Sequence, residues 1–189
     1  ENIFVGMGLD LTNSSATGQP VARLENKGNI IISLNNSYHY PQTIGMQLEK
    51  LFSDSTISGE LINSGKITIM NAPGVTSYQQ ASAVFIDIGT SSPIANIQTG
   101  NIDLLGAYSR GVTIGRAQND LTLANLNIDG SGGIINVVGR GSTALFVGTP
   151  LGKSTSTNFL ENIKNFNINL NGISTSGVIV DFSPSYIQN

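Results

Sequence analysis

Cysteine and tryptophan are absent from this chain of 189 residues, histidine occurs once, and charged side chains make up only 11% of it. Without cysteine there is neither a disulfide framework nor a thiolate metal site. The longest apolar runs, such as "GGIINVVG", are far shorter than the roughly 20 residues of a membrane-spanning helix. No charged segment leading into an apolar one marks a signal sequence. The net charge of −3 and the scatter of nine Lys and Arg from Arg23 to Lys164 leave no basic stripe to neutralise phosphates, so nucleic acid is not an expected partner.

What fills the polar positions instead is Gly, Asn, Ser and Thr, arranged in a repeat. A strand centred on isoleucine reads "GNIII" at Gly28, "GKITI" at Gly65, "GNIDL" at Gly100, "LNIDG" at Leu126 and "FNINL" at Phe166. Its alternation is the period of a strand with one buried face. A second strand, reading small, apolar, any, apolar, follows each: "GMQL" at Gly45, "AVFI" at Ala83, "GVTI" at Gly111, "ALFV" at Ala144 and "GVIV" at Gly177, with a sixth copy, "GMGL", at Gly6. Weaker third stretches lie between units, "VARL" at Val21, "ISGEL" at Ile57, "PIANI" at Pro93, "LTL" at Leu121 and "NFL" at Asn158.

Three short strands per period, joined by Gly, Asn, Ser and Pro turns, make one coil of a solenoid. A single coil cannot cover its own apolar face, but coils stacked at about 4.8 Å bury a continuous column. The expected fold is therefore all-β: a single-stranded, right-handed parallel β-helix of about five coils. Ile30, Ile67, Ile102, Ile128 and Ile168 are expected to stack inside, with Asn29, Lys66, Asn101, Asn127 and Asn167 as an outward polar column. The small residues Gly45, Ala83, Gly111, Ala144 and Gly177 mark either positive φ or close backbone approach, and the two alanines favour close approach.

Units such as "NSGKITI…SAVFIDIG", "TGNIDLLG…SRGVTIG" and "FNINLNG…TSGVIVDF" resemble the repeats of autotransporter passenger domains, the exported parts of type V secreted adhesins of Gram-negative bacteria. The resemblance runs over nearly the whole chain. It implies a β-helix stalk, secreted or exposed on the cell surface, whose corner loops engage a host or bacterial cell-surface protein or glycan. It also implies that residues 1–189 are one segment of a longer passenger, with open ends prone to end-to-end self-association. Neither the outer-membrane barrel of the family nor the nucleophile motif of its protease-bearing members has a counterpart here. Vacuolating-toxin passengers, which form pores, remain an open branch of the resemblance.

Many parallel β-helices are polysaccharide lyases or hydrolases, whose chemistry needs clustered acids with a basic partner. Asp103 and Asp129 follow the central isoleucine in consecutive units. They are expected one above the other, where like charges would raise one pKa. No Asp-Asp pair occurs and His39 lies in another unit, so the expectation is a chain without enzymatic activity, cofactor or metal. "DGSGG" at Asp129 lacks the glycine-aspartate calcium repeat, and "PLGKSTS" at Pro150 lacks the upstream glycine of a phosphate-binding loop.

Loop length carries the functional signal. From the central isoleucine to the apolar residue of the next strand takes 10 positions in two units (102 to 112, 168 to 178) and 16 or 17 in the others (30 to 46, 67 to 84, 128 to 145). The insertions "NNSYHYPQT" and "NAPGVTSYQQ" place Tyr38, His39, Tyr40 and Tyr78 at one corner of adjacent coils. Aromatic rings with polar tips suit protein or sugar recognition, so these four are the candidate ligand-binding residues.

Overall fold

The computed structural model describes residues 4–10, 21–35, 43–50, 58–73, 81–88, 95–114, 126–148 and 163–181. Sixteen strands wind in a fixed order through three parallel sheets, so the chain is an all-β parallel β-helix. The first sheet stacks β1 (Phe4–Asp10), β4 (Thr43–Lys50), β7 (Ala81–Ile88), β10 (Arg110–Ile114), β13 (Thr143–Gly148) and β16 (Ser176–Asp181). The second stacks β2 (Val21–Asn26), β5 (Ser58–Asn63), β8 (Ala95–Gln98), β11 (Leu126–Asp129) and β14 (Ile163–Lys164). The third stacks β3 (Asn29–Leu34), β6 (Lys66–Asn71), β9 (Asn101–Leu104), β12 (Ile135–Val137) and β15 (Ile168–Leu170).

The third sheet carries the isoleucine column, with one replacement. Ile30 pairs with Ile67, Ile67 with Ile102, Ile102 with Ile135 and Ile135 with Ile168. Ile128 instead stacks on Ile97 and Ile163 in the second sheet. Coil four was misassigned because "LNIDG" presents the same polar-Ile-polar pattern that both sheets require. Its true counterpart of "GNIDL" is the three-residue strand β12, two residues after Gly133. Asn127 accordingly leaves the outward column expected of it and donates to Asn96 Oδ1 at 3.2 Å on the second sheet, while Ile134 takes its place above Asn101. Of the third stretches, those at Leu121 and Asn158 lie outside the described residues. The second-sheet strands there are β11 and β14.

Ile102 is fully buried between Ile67 and Ile135, and Ile69, Leu104 and Val137 continue a second inward column. The first sheet faces them with Met46, Val84, Val112 and Leu145. Here the small residue explains itself. The ladder register runs on either side of Gly45, Ala83, Gly111 and Ala144 but passes over them. A Cβ added to Gly45 would lie 3.2 Å from Ile67 Cγ2, and one added to Gly111 3.2 Å from Ile135 Cγ2, so these positions point inward together with the residue that follows. The strand bends there and breaks the alternation. The hydroxyls of Ser82 and Thr113 consequently share a face and meet at 2.8 Å, and the Arg110 guanidinium sits 3.6 Å over the Phe146 ring. The same added Cβ atoms would lie 2.6 Å from Ala83 O and 2.5 Å from Ala144 O, one coil on. Close approach sets the requirement, since neither glycine has a positive φ.

A buried amide ladder ties the second sheet to the third. Asn26 Nδ2 donates to Asn63 Oδ1 at 2.8 Å, and Asn63 Nδ2 donates to the Thr99 carbonyl at 2.8 Å. Both side chains lie at the tight corner before the glycines that open β3 and β6, and they satisfy polar groups that the stack has taken from water.

Candidate functional site

The corner from the third sheet to the first takes two forms. In coils three to five the turns 105–109, 138–142 and 171–175 share one backbone shape, with Tyr108, Gly141 and Ser174 all left-handed at φ 56°, 69° and 55°. Buried hydroxyls close them. Ser142 Oγ accepts the Ser109 N–H at 2.9 Å and donates to the Gly106 carbonyl at 2.9 Å, which also accepts Ser109 Oγ at 3.1 Å. Thr175 Oγ1 repeats the motif with the Gly172 carbonyl at 3.2 Å.

In coils one and two the same corner is expanded. Ile32, Ile69 and Leu104 are in register, as are Ile44, Ser82 and Arg110, so the corner spans 11 residues (33–43), 12 residues (70–81) and 5 residues (105–109) in turn. With Ile135 in the isoleucine column, coil four runs 10 positions to Leu145. The long count taken from Ile128 is corrected, and at this corner the insertions belong to the first two coils. Their roots lie side by side. Leu34 pairs with Asn71, the Ala72 N–H donates to the Leu34 carbonyl at 2.8 Å, and Thr43 pairs with Ala81. Tyr38, His39, Tyr40 and Tyr78 themselves lie outside the described residues.

The two acids are separated rather than stacked. Asp103 stands on the third sheet between Thr68 and Asn136, whereas Asp129 stands on the second between Gln98 and Lys164. Asp103 Oδ2 meets Lys66 Nζ at 2.5 Å and Asp103 Oδ1 accepts Asn136 Nδ2 at 2.8 Å. Partial burial pushes the Asp103 carboxyl up, but the hydrogen bonds from Asn136 and Lys66 and the Lys66 charge outweigh it and hold the pKa below the usual value. The Ser131 backbone N–H and the Asn165 amide likewise hold Asp129 low. The expected upward shift of one acid is overturned because the two acids stand on different sheets and donors hold each carboxylate, so both are poor proton donors at neutral pH.

Sequence reasoning missed a cleft at the corner between the second and third sheets. It is an open depression of about 360 Å³, with the 130–134 turn of coil four as its floor and Asn101 from coil three and Asn165 and Asn167 from coil five at its sides. Asp129 Oδ1 braces it by accepting the Ser131 N–H at 2.9 Å and Asn165 Nδ2 at 3.0 Å. Asn101 Oδ1 accepts the Ile134 N–H at 3.1 Å. The signal in the sequence is "DGSGG" itself, a glycine run two residues longer than the stack needs: Ile97 to Ile102 takes 5 positions, whereas Ile128 to Ile135 takes 7.

Among known protein families, curated proteins and solved structures, none matches this chain.

Proposed function

We propose that this protein is a secreted or surface-exposed β-helix that acts by display and binding, in the manner of an autotransporter-like adhesin, with a cell-surface protein or glycan as its partner. The observation that carries the reading is the expanded corner of coils one and two. Coils three to five show that five residues and a pair of hydroxyls suffice to turn the chain there. The length of 33–43 and 70–81 therefore exceeds what turning the chain requires, and their roots are hydrogen bonded into one site. Insertions at the corners of a solenoid are where such folds place recognition.

Two further features favour this reading over a hydrolytic one. Asp103 and Asp129 both stay ionised, and each is occupied by structural donors rather than aimed at a common point. Replacing Tyr38, Tyr40 and Tyr78 together by Ala is expected to reduce binding to cells severalfold while moving the unfolding midpoint little, since loop tips contribute little to a solenoid core. Flow cytometry with labelled protein and a thermal melt measure the two quantities. Undiminished cell binding would remove the corner from the reading.

A further inference from the structure

The geometry points to a binding site for an uncharged saccharide in the cleft over the 130–134 turn, an inference that rests on the binding role proposed above and gives it a ligand class. The volume of about 360 Å³ lies within the range of small-molecule sites. Its hydrogen-bonding groups are of the kind that pair with a diol. Asn101 spends its Oδ1 on the Ile134 N–H and leaves its NH₂ to a ligand, while Asn165 spends its Nδ2 on Asp129 and leaves its carbonyl oxygen. Asn167 is exposed at the rim. The lining thus supplies both a donor and an acceptor, and a sugar hydroxyl, which both donates and accepts, satisfies each.

The floor is equally specific. A Cβ on Gly132 would meet nothing within 4 Å, so a ring can approach the backbone there, whereas Gly130 and Gly133 are packed against the neighbouring coils. Gly133 is also fixed by contact with the Gly100 carbonyl, and Gly132 by a φ of 75°. Behind the floor the Asp129 carboxylate pins both the turn and one wall, so little ordering is left for binding to cost. Lys164, paired with Asp129 in the next coil, offsets the charge of that carboxylate, so the lining holds amides rather than an unpaired charge and suits neutral sugars over phosphate, sialate or uronate. The exposed Ile134 offers the apolar surface on which the C–H face of a pyranose rests. The two extra residues of this turn find no use in the stack, because coil three closes the same corner without them.

Titration of the ¹⁵N-labelled chain with neutral oligomers of mannose, galactose and N-acetylglucosamine, and separately with sialylated and uronic-acid oligomers, tests the site. At least one neutral series is expected to shift the side-chain amide signals of Asn101, Asn165 and Asn167. Asn167→Ala and Ser131→Trp, both at exposed positions, should each weaken that binding by about tenfold or more, while the triple tyrosine variant leaves it unchanged. Absence of any neutral ligand, a response to the anionic oligomers alone, or wild-type affinity in both cleft variants would each overturn the inference. Cell binding that survives those results but falls with the tyrosine substitutions would leave the display reading standing without this site.

Discussion

Coils one and two and coils three to five share the isoleucine column yet part company at the corner from the third sheet to the first. The interior is under common constraint, because Ile30, Ile67, Ile102, Ile135 and Ile168 must fill the same space at the same height in each turn. The corner is not. Where the chain needs only to turn, Ser109 and Ser142 close it with buried hydroxyls. Where it carries more, the extra length emerges from roots that remain paired. The difference separates residues that hold the stack from residues the stack merely holds up, and it gives the two classes opposite sensitivities to substitution.

The shared part is the easier to break. Gly133→Ala drives a Cβ into the Gly100 carbonyl of the preceding coil, backbone against backbone with no side chain to yield, whereas a Cβ on Gly28 at the corresponding corner of coil one meets nothing within 4 Å. We expect Gly133→Ala to destabilise by at least about 3 kcal/mol and Gly28→Ala to be close to neutral, within about 0.5 kcal/mol. Urea unfolding followed by circular dichroism measures both. Equal effects would mean that the corner glycines serve conformational freedom rather than close packing.

That contrast also shows what the sequence could and could not disclose. The small-residue strand was legible in all six copies because each carries a Gly or Ala where the strand bends inward, and at Gly6, Gly45 and Gly111 the carbonyl of the next coil leaves no room for a Cβ. The isoleucine strand was legible in four coils and missed in the fourth, where "LNIDG" obeys the same alternation for a different sheet. The glycine two positions before Ile135, as before Ile30, Ile67 and Ile102, was the available discriminator. The Asn26–Asn63 ladder escaped notice because only Asn two residues before the corner glycine announces it, in "ENKG" and "INSG". The cleft was hidden for a physical reason. Asn101, Asn165 and Asn167 come from coils whose relative register depended on the misplaced fourth strand, so no reading of spacing alone brought them together.

A smaller effect separates the outer faces. The Lys66–Asp103–Asn136 chain joins coils two, three and four across the third sheet, whereas coil one presents Ile31 in the equivalent outward column, 64% exposed. Because the Asp103 pKa is lowered in the folded chain, its contribution is fully present above the unfolded carboxylate value of about 4 and is lost as pH falls through the folded value. Lys66 is about half exposed, so solvent screening limits the contribution to less than about 1 kcal/mol. Asp103→Asn should therefore be slightly less stable than the parent at pH 7, and the gap should close below about pH 4. A gap that widens in acid would reverse the sign of the linkage and refute the ion pair as its source.

The smallest expected change in stability comes from the substitution that cuts deepest into function. Grafting the five-residue turn Leu105–Ser109 in place of residues 70–81 gives coil two the corner of coil three, and the two coils already agree in register on both sides, at Ile69 with Leu104 and at Ser82 with Arg110. Shortening a closed loop from 12 residues to 5 returns about 1 kcal/mol or less of closure entropy. Against this stands the loss of the Leu34–Asn71 pairing and of the Ala72 hydrogen bond to the Leu34 carbonyl, so the two effects nearly cancel. The graft should melt within a few degrees of the parent, retain the β-sheet circular dichroism spectrum, and lose most of its binding to cells. A graft that no longer folds would show that the insertion shields or braces the first two coils, and the corner would then belong with the columns as a part of the stack.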